Sequence, residues 1–373
     1  MKRRGLVWLS MLWLAVGCGG AESDPAGVLS LDDEDGEDYA AYDPTTKADG
    51  FYPPDGPLTF DGACQEGDTL TIAAVGDVLL HGRLQQQAFA ADDRYISLWK
   101  GVKGLLKAAD LTYANLEGPA ARGVNGSGVA VQDPGARWDN VVYTSYPMFN
   151  YHPSLINDLL DSGVDVVSTA NNHSLDRWSL GVDRTIEALE DAGLAFTGTR
   201  QAGDTDQPWY TIVERKGFRL AFLACTDATN GIPDRKDQVR YCGEHADDIV
   251  ADVRALAPQV DAVVVTPHWG VEYAASPNNN QVKFAHRLLD AGATLVLGSH
   301  PHVLEPWERY VTADGRETFV IYSLGNFVSG QKHLARQSTL LLYVGLTRDS
   351  NGKVVINGAR YVPLHMTTFS DSY

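Results

Sequence analysis

The chain has 373 residues, of which 44% are hydrophobic, and a formal net charge of −18 at pH 7. This length allows a full hydrophobic core, in one large domain or in two ordinary ones. An acidic protein lacks the basic surface that binds nucleic acid, so we expect no nucleic-acid partner, and any anionic substrate must be held by local positive charge.

The first eighteen residues have the layout of a bacterial secretory signal. Basic residues at positions 2–4 precede an apolar run over residues 6–16, which is too short to span a membrane. The run ends in LAVGC, which resembles a lipoprotein cleavage box with alanine where leucine is more usual. We expect residues 1–18 to be the signal and Cys18 to carry a lipid anchor. The alternative is an ordinary cleaved signal with a chance cysteine.

An acidic, disordered tether is predicted over residues 19–66. Residues 19–56 contain eleven acidic residues and one lysine, with glycine and proline scattered among them. Such a segment cannot bury enough apolar surface to order itself. Residues 67–373 are therefore the expected folded domain.

Three cysteines follow Cys18 in a compartment that permits disulfides. Cys225 and Cys242 flank one predicted loop and can pair, which would leave Cys64 free. Spacing alone leaves this pairing open, because it does not fix the distance between the Cα atoms. The chain has no CxxC motif, which argues against a thiolate metal site.

Short apolar runs alternate with helical periodicity from residue 70 onward. The predicted strands are, in chain order, TIAAVGD, LTYANLE, VDVVSTANNH, VDAVVVTPHWG, ATLVLGSHPH and TFVIYSLGNF. They are almost continuously apolar, as strands buried on both faces are. Three predicted helices end in LLDSG, LEDAG and LLDAG, each with glycine at the usual left-handed C-cap.

This alternation favours an α/β fold in which helices cover a largely parallel sheet. Two segments depart from it, because they read as hairpins around Lys216-Gly217 and around Ser350-Asn351-Gly352. We therefore expect two mixed sheets flanked by helices.

Polar side chains gather where the predicted strands end. The carboxyl ends of parallel strands meet at one edge of a sheet, and binding sites form there. The residues at these ends are Asp77, His81, Asn115, Glu117, Asn172, His173, His268, His300 and His302. Each alone has an ordinary explanation as a turn cap or a packed histidine. Together they offer the nitrogen and oxygen donors that suit Zn, Mn or Fe, and their number favours two ions that share a carboxylate.

Six motifs resemble the CapA family of capsule and poly-γ-glutamate biosynthesis proteins, which has a calcineurin-like metallophosphoesterase fold. The motifs are GDVLLHGR, ANLEGP, VVSTANNHSLD, TPHWGVEY, GSHPHV and IYSLGNF, within residues 70–330. The resemblance implies a four-layer αββα sandwich.

The resemblance also implies roles for individual residues. Asp77 is similar to the first metal-binding carboxylate, Glu117 to the bridging carboxylate, and His173 to the acid that protonates a leaving group. The other implied ligands are Asn172, His268, His300 and His302. Further candidates, as ligands or as supports for ligands, are His81, Asn115 and Asn326.

Three departures from the family pattern bear on activity. Leu79 stands where the superfamily has a histidine, so either His81 reaches back or the first ion lacks a ligand. Glu117 stands where the wider superfamily has aspartate. These two departures leave open whether the domain is a phosphoesterase. The third, Arg177-Trp178 in place of an aromatic residue and glycine, is expected to affect only a turn.

These observations predict an accessory protein of extracellular polymer production, lipid-anchored to a bacterial membrane at the cell envelope. We expect two divalent metal ions (Mn, Fe or Zn), an anionic polymer such as poly-γ-glutamate as ligand, and a capsule-synthesis complex as partner. Two alternatives stay open. One is a free-standing dimetal hydrolase with a phosphoester substrate, and the other is a non-catalytic module that binds an anionic polymer.

Overall fold

The structure, a computed structural model, describes residues 57–367. The strands are β1 (Asp68–Leu79), β2 (Leu111–Leu116), β3 (Val166–Ser168), β4 (Ala195–Thr197), β5 (Tyr210–Arg215), β6 (Phe218–Thr226), β7 (Ala262–His268), β8 (Leu295–Leu297), β9 (Leu304–Val311), β10 (Glu317–Leu324), β11 (Asn326–Ser329), β12 (Ser338–Arg348) and β13 (Val354–His365).

Helices connect most of these strands. They are α1 (Gly82–Ala90), α2 (Ile96–Trp99), α3 (Lys103–Leu106), α4 (Ser154–Asp161), α5 (Trp178–Ala192), α6 (Ala246–Leu256), α7 (Asn279–Ala291) and α8 (Leu334–Gln337), and a 3₁₀ helix spans Asp61–Cys64. Within residues 57–367, every helix is too short or too polar to cross a membrane.

The strands form two mixed sheets. The first has the order β13-β12-β1-β2-β3-β4, with β11 also paired to β1, and the second has the order β5-β6-β7-β8-β10-β9. The pairs β1-β2, β2-β3, β6-β7 and β7-β8 are parallel, whereas the hairpins β5-β6 and β12-β13 are antiparallel. Both hairpins turn where the sequence predicts.

Alternating side chains of the strands build the layers. In β1, Leu70 and Ile72 join the core between the two sheets, while Ala73 and Val75 join the core under the first set of helices. Helices α1 to α5 cover the first sheet, and α6 and α7 cover the second. Both faces of β1 are buried from Ile72 to Val75, which is why this stretch is continuously apolar. The expected four-layer αββα sandwich is confirmed.

The helix ends also follow the predicted pattern. Glycine stands just past the last turn of α4, α5 and α7, and each of these glycines has a positive φ. In the β5-β6 hairpin, Lys216 and Gly217 have φ of 49° and 78°, the left-handed pair that a two-residue turn requires.

Packing begins earlier in the chain than predicted. Phe60 is only 5% exposed and lies in the core between the sheets, and the backbone N–H of Asp61 donates to Glu317 Oε2 at 2.8 Å. The predicted domain start at residue 67 is therefore too late. The predicted signal, Cys18 and the tether up to residue 56 lie outside the described residues.

Cys225, near the end of β6, forms a disulfide with Cys242, and their Cα atoms are 5.0 Å apart. Both side chains are buried against α6 and the second sheet. Cys64 is not a free thiol, so the expectation that it stays unpaired is wrong.

Candidate metal centre

The predicted ligands lie at one end of the sandwich, where parallel strands of both sheets finish. The first sheet contributes Asp77 in β1, Glu117 directly after β2 and Asn172 after β3. The second sheet contributes His268, the last residue of β7, and His300 and His302 after β8. All of these side chains are buried except that of His300, which is partly exposed.

The Gly-Asp pair at the end of β1 explains how Asp77 is aimed. The register of β1 shifts between Ala74 and Asp77, and Asp77 then lies beside Asn115 and Asn326 of the neighbouring strands. A Cβ on Gly76 would lie 1.8 Å from the carbonyl oxygen of Gly325, so only glycine allows this approach. The backbone N–H of Asp77 donates to the same carbonyl at 3.0 Å.

Three ligand-type side chains converge on one point. His302 Nδ1 is 3.0 Å from Asp77 Oδ2, and His302 Nε2 is 3.8 Å from Glu117 Oε1. One donor atom from each of Asp77, Glu117 and His302 lies within 4.8 Å of the others. This arrangement can hold one cation.

Glu117 provides the test of whether a cation fits. Its side chain is fully buried, and neither carboxylate oxygen has a hydrogen-bond partner within residues 57–367. Burial, together with the negative charge of Asp77, raises the pKa of Glu117 well above its usual value. A buried carboxylate without donors is costly unless a cation neutralises it, so these residues fit a metal.

A second group of donors faces the same carboxylate. His268 Nε2 lies 3.0 Å from Asn172 Oδ1, 3.1 Å from His300 Nδ1 and 3.8 Å from Glu117 Oε1. Amide oxygen, imidazole nitrogen and carboxylate are a donor set for Mn, Fe or Zn. Glu117 Oε1 thus lies 3.8 Å from a histidine of each group.

The imidazoles of the second group are held in their neutral form. Burial, reinforced by the neighbouring histidines, lowers the pKa of His268 well below its usual value and that of His300 to about 4. Only a neutral imidazole offers a lone pair to a metal, so both histidines are ready for coordination at neutral pH.

The two histidines around Pro301 diverge, with ring centroids 6.1 Å apart. His300 points to His268, and His302 points to Asp77. Both have left-handed backbones, with φ of 100° and 61°. Strained backbone of this kind is typical of functional sites, where the surrounding structure imposes it.

Neighbouring polar groups orient the ligands. Asn115 Nδ2 donates to Asp77 Oδ1 at 2.8 Å, and Asn326 Nδ2 donates to the carbonyl of His302 at 3.1 Å. Ser299 Oγ lies 3.0 Å from His268 Nδ1 and can accept its proton, which frees Nε2 for a metal. Asn115 and Asn326 therefore support the ligands through their amide hydrogens.

His173 lies next to the ligand groups but has a partner of its own. Its Nδ1 is 2.7 Å from Asp176 Oδ2, and its ring packs edge-on against Phe149 at 4.8 Å. Asp176 is held in turn by the backbone N–H of Phe149 at 2.6 Å. With Nδ1 occupied in this way, Nε2 is the nitrogen that can exchange a proton with a ligand.

Two of the departures can be placed in the structure. His81 Nδ1 accepts from the N–H of Gly330 at 3.1 Å, so Nε2 is the nitrogen left to replace the histidine absent at Leu79. Arg177 does more than shape a turn. Its guanidinium is fully buried and donates to carbonyl oxygens of Asp176 at 2.7 Å and Val142 at 3.4 Å, which fixes the preceding loop.

Two residues of this region had no predicted role. Asp176 stands three residues after His173 in the same motif, a spacing that could have suggested a carboxylate–histidine pair. Asn230, in the loop after β6, has Oδ1 3.3 Å from Asn172 Nδ2 and Nδ2 3.3 Å from His173 Nδ1. No sequence pattern marks Asn230, because its approach depends on how the two sheets pack.

Comparison with protein families gives one match that spans the site. The family described as "Bacterial capsule synthesis protein PGA_cap" matches residues 71–331, which include every candidate ligand.

Two relatives are similar over most of the chain. The capsule biosynthesis protein CapA of Bacillus anthracis is 29% identical over 311 residues, which cover 81% of this chain and 69% of that protein. The PGA biosynthesis protein CapA of Bacillus subtilis (strain 168) is 27% identical and covers 77% of this chain and 70% of that protein. Among solved structures, a 5′-nucleotidase from Candida albicans SC5314 covers 81% of this chain and 55% of its own, at 11% identity and a TM-score of 0.42.

Proposed function

Because the chain belongs to the PGA_cap family of bacterial capsule synthesis proteins, we propose that it assists the synthesis or export of an anionic capsule polymer such as poly-γ-glutamate. In this proposal the sandwich binds two divalent cations (Mn, Fe or Zn) at the candidate metal centre. It acts at the cell envelope, within a capsule-synthesis complex.

The observation that carries the metal proposal is the bare carboxylate of Glu117. It is buried between the two donor groups, and without a cation it would leave both oxygens unpaired in the interior. Asp77 and His302 would hold one ion, and Asn172, His268 and His300 would hold the other, with Glu117 shared. Divalent ions bound there would supply positive charge that polarises a carbonyl or phosphoryl oxygen of the ligand.

The protein's own proton donor is His173. Asp176 Oδ2, 2.7 Å from Nδ1, orients the ring, as the carboxylate does in other carboxylate–histidine pairs. A protonated Nε2 can deliver a proton to the leaving group when a γ-glutamyl amide or a phosphoester is cleaved. This pair is also what favours the second candidate function, a free-standing dimetal phosphoester hydrolase.

The anchoring proposal rests on the N-terminal sequence. LAVGC places Cys18 at a lipoprotein-like cleavage point, and a long acidic segment separates it from the packed domain. A lipid on Cys18 would hold the domain near the membrane while the polar segment gives it reach.

One experiment tests metal binding and chemistry together. Metal content is measured by elemental analysis, and turnover is screened with γ-linked glutamate oligomers and with phosphoesters, for the wild type and for His173→Ala. We expect two equivalents of metal in both proteins and loss of turnover in the variant, because His173 lies outside the ligand groups. His286→Ala, on α7 against Glu308 of β9, is the matched control and should keep both properties.

The proposal fails if the wild type purifies and reconstitutes without metal. Metal loss in His173→Ala would show that its role is wrongly assigned. Full metal content without turnover on any substrate would favour the non-catalytic module.

A further inference from the structure

A basic loop borders the site of this acidic protein. Residues 318–348 contain no acidic residue, although the net charge over residues 57–373 is −11. Within this stretch, residues 330–337, here named the basic loop, carry Lys332 and Arg336. Lys332 is exposed and Arg336 is partly buried. The basic loop thus carries two positive charges and no carboxylate.

The basic loop is fixed to the centre at both ends. At its start, the N–H of Gly330 donates to His81 Nδ1 at 3.1 Å, and a Cβ on Gly330 would lie 2.7 Å from the His81 Cβ. At its end, Asn326 Nδ2 donates to the carbonyl of Arg336 at 3.0 Å, and the same amide nitrogen contacts the carbonyl of His302. The backbone of Arg336 is therefore positioned by the residue that also positions a ligand.

The guanidinium of Arg336 stacks on Tyr273, with its central carbon 3.5 Å from the ring centroid. Tyr273 is anchored in turn, because its backbone N–H donates to the carbonyl of Pro301 at 2.8 Å. Its ring centroid is 6.1 Å from that of His302. Both members of the pair are thus built onto the loop that carries the histidine ligands.

Apart from its contact with Tyr273, the guanidinium of Arg336 has no charged partner among residues 57–367. No carboxylate of residues 57–367 forms an ion pair with it, and its Nε is buried without a hydrogen-bond partner. The exposed Glu272, directly before Tyr273, would repel an incoming anion. An anion that binds here therefore needs a positive charge close by, which Arg336 supplies. A stacked guanidinium keeps its N–H edge available for two parallel bonds to a carboxylate.

We propose that Arg336, stacked on Tyr273 and assisted by Lys332, binds a free carboxylate of the polymer chain beside the metal centre. This proposal rests on the proposed function. In a γ-linked glutamate chain every residue keeps a free carboxylate next to its backbone amide. Holding one such carboxylate at Arg336 would place a neighbouring amide toward the metal ligands, so the pair selects polyanionic chains and sets their register.

The test is a binding titration with a fluorescently labelled γ-linked glutamate oligomer and with its neutral, carboxamide analogue. Arg336→Gln should weaken binding of the acidic oligomer by about tenfold to a hundredfold, the usual range for a charge-assisted bond. Arg336→Lys should restore only part of the affinity, because ammonium neither stacks flat nor binds a carboxylate through two bonds. Lys353→Gln, in the exposed turn between β12 and β13, removes one charge as a matched control and should bind as the wild type does. Metal content should be equal in all four proteins.

The outcomes separate this inference from the proposed function. If the wild type binds the acidic oligomer and Arg336→Gln binds it equally well, only the role of Arg336 is overturned. Equal affinity of the wild type for the neutral analogue also overturns it. If the wild type binds neither oligomer, the polymer function and this inference fail together. Metal loss in Arg336→Gln would show that Arg336 supports the centre instead of the ligand.

Discussion

Glu117→Gln tests how the carboxylate of Glu117 affects the stability of the fold with and without metal. The substitution keeps the shape of the side chain and removes its charge. Glu117 has two buried oxygens without partners, and burial raises its pKa well above the usual value. A carboxyl whose pKa is raised in the folded state stabilises it below the unfolded pKa and loses that contribution as pH rises through the folded pKa. In metal-free protein at pH 8, the variant should therefore be at least as stable as the wild type.

With metal present, the wild type should be more stable than the variant. A ligand at one hundred times its Kd stabilises the folded state by about 2.7 kcal/mol. In a domain of this size, 1 kcal/mol corresponds to about 2 °C in Tm, so the wild type should gain roughly 5 °C. Glu117→Gln should gain little, because it removes the anion shared by both donor groups. Without metal, the variant still buries a polar group without partners, so its advantage over the wild type comes only from the loss of the buried negative charge.

The assay is thermal unfolding of chelator-treated protein with and without added Mn²⁺, Fe²⁺ or Zn²⁺, combined with elemental analysis. Metal content should fall in both sites for Glu117→Gln, and chiefly in one for His300→Ala or His302→Ala. A Glu117→Gln protein that keeps full metal content and the full thermal shift would refute the shared-carboxylate reasoning. If the metal-free variant is less stable than the metal-free wild type, the buried charge of Glu117 does not destabilise the metal-free fold, and that part of the reasoning is refuted.

Three further predictions concern other parts of the chain. Glu305, which accepts from Gln281 Nε2 at 2.8 Å, has a pKa raised by burial from 4.5 to about 8. Its contribution to stability is complete below pH 4.5 and is lost as pH rises to 8. The free energy of unfolding should therefore fall between pH 5 and 9 in the wild type, and Glu305→Gln should reduce this fall by as much as ~5 kcal/mol, measured by denaturant titration at each pH. An equal fall in the variant would contradict this prediction. Cys18→Ala should move the protein from the membrane fraction to the soluble fraction, and unchanged membrane association would exclude a lipid anchor at Cys18. Replacing Cys225 and Cys242 by serine opens a loop between residues 17 positions apart and should lower the free energy of unfolding by about 3 kcal/mol, measured with urea; an unaltered midpoint would show that the bond does not stabilise the fold.

The layers and the convergence of the candidate ligands could be predicted from the sequence because both depend on local signals. Nearly continuous apolar strands, C-cap glycines and two-residue turns are readable from a few residues, and parallel strands bring their carboxyl ends together by geometry. The placement of Asp77 and His302 together followed from that geometry. The exact backbone of the His300–His302 turn could not be predicted in this way, because left-handed φ at a histidine is imposed by tertiary contacts.

The remaining features depend on contacts between distant loops. His81, one of the two alternatives for the position of Leu79, is held through its Nδ1 by Gly330, almost 250 residues away in the chain. Asn230 and Arg336 reach the site through the packing of the two sheets and through a loop with no motif. Arg177 looked like a turn residue, yet it is buried because the preceding loop folds over its guanidinium.

The position of β1 in the first sheet has a consequence for the order of assembly. This strand is the first of the sheet in the chain, yet it lies between β2 on one side and β12 on the other, with Asp68 opposite Arg348 and with Asp77 beside Asn326 of β11. Such distant pairings close late, and they slow folding because the chain entropy is lost before the contacts form. Asp77 is among the first ligands to be synthesised, but it is locked in place only after residues 326–348 exist. Any cation that the centre binds would therefore be taken up only once residues 326–348 have folded against β1.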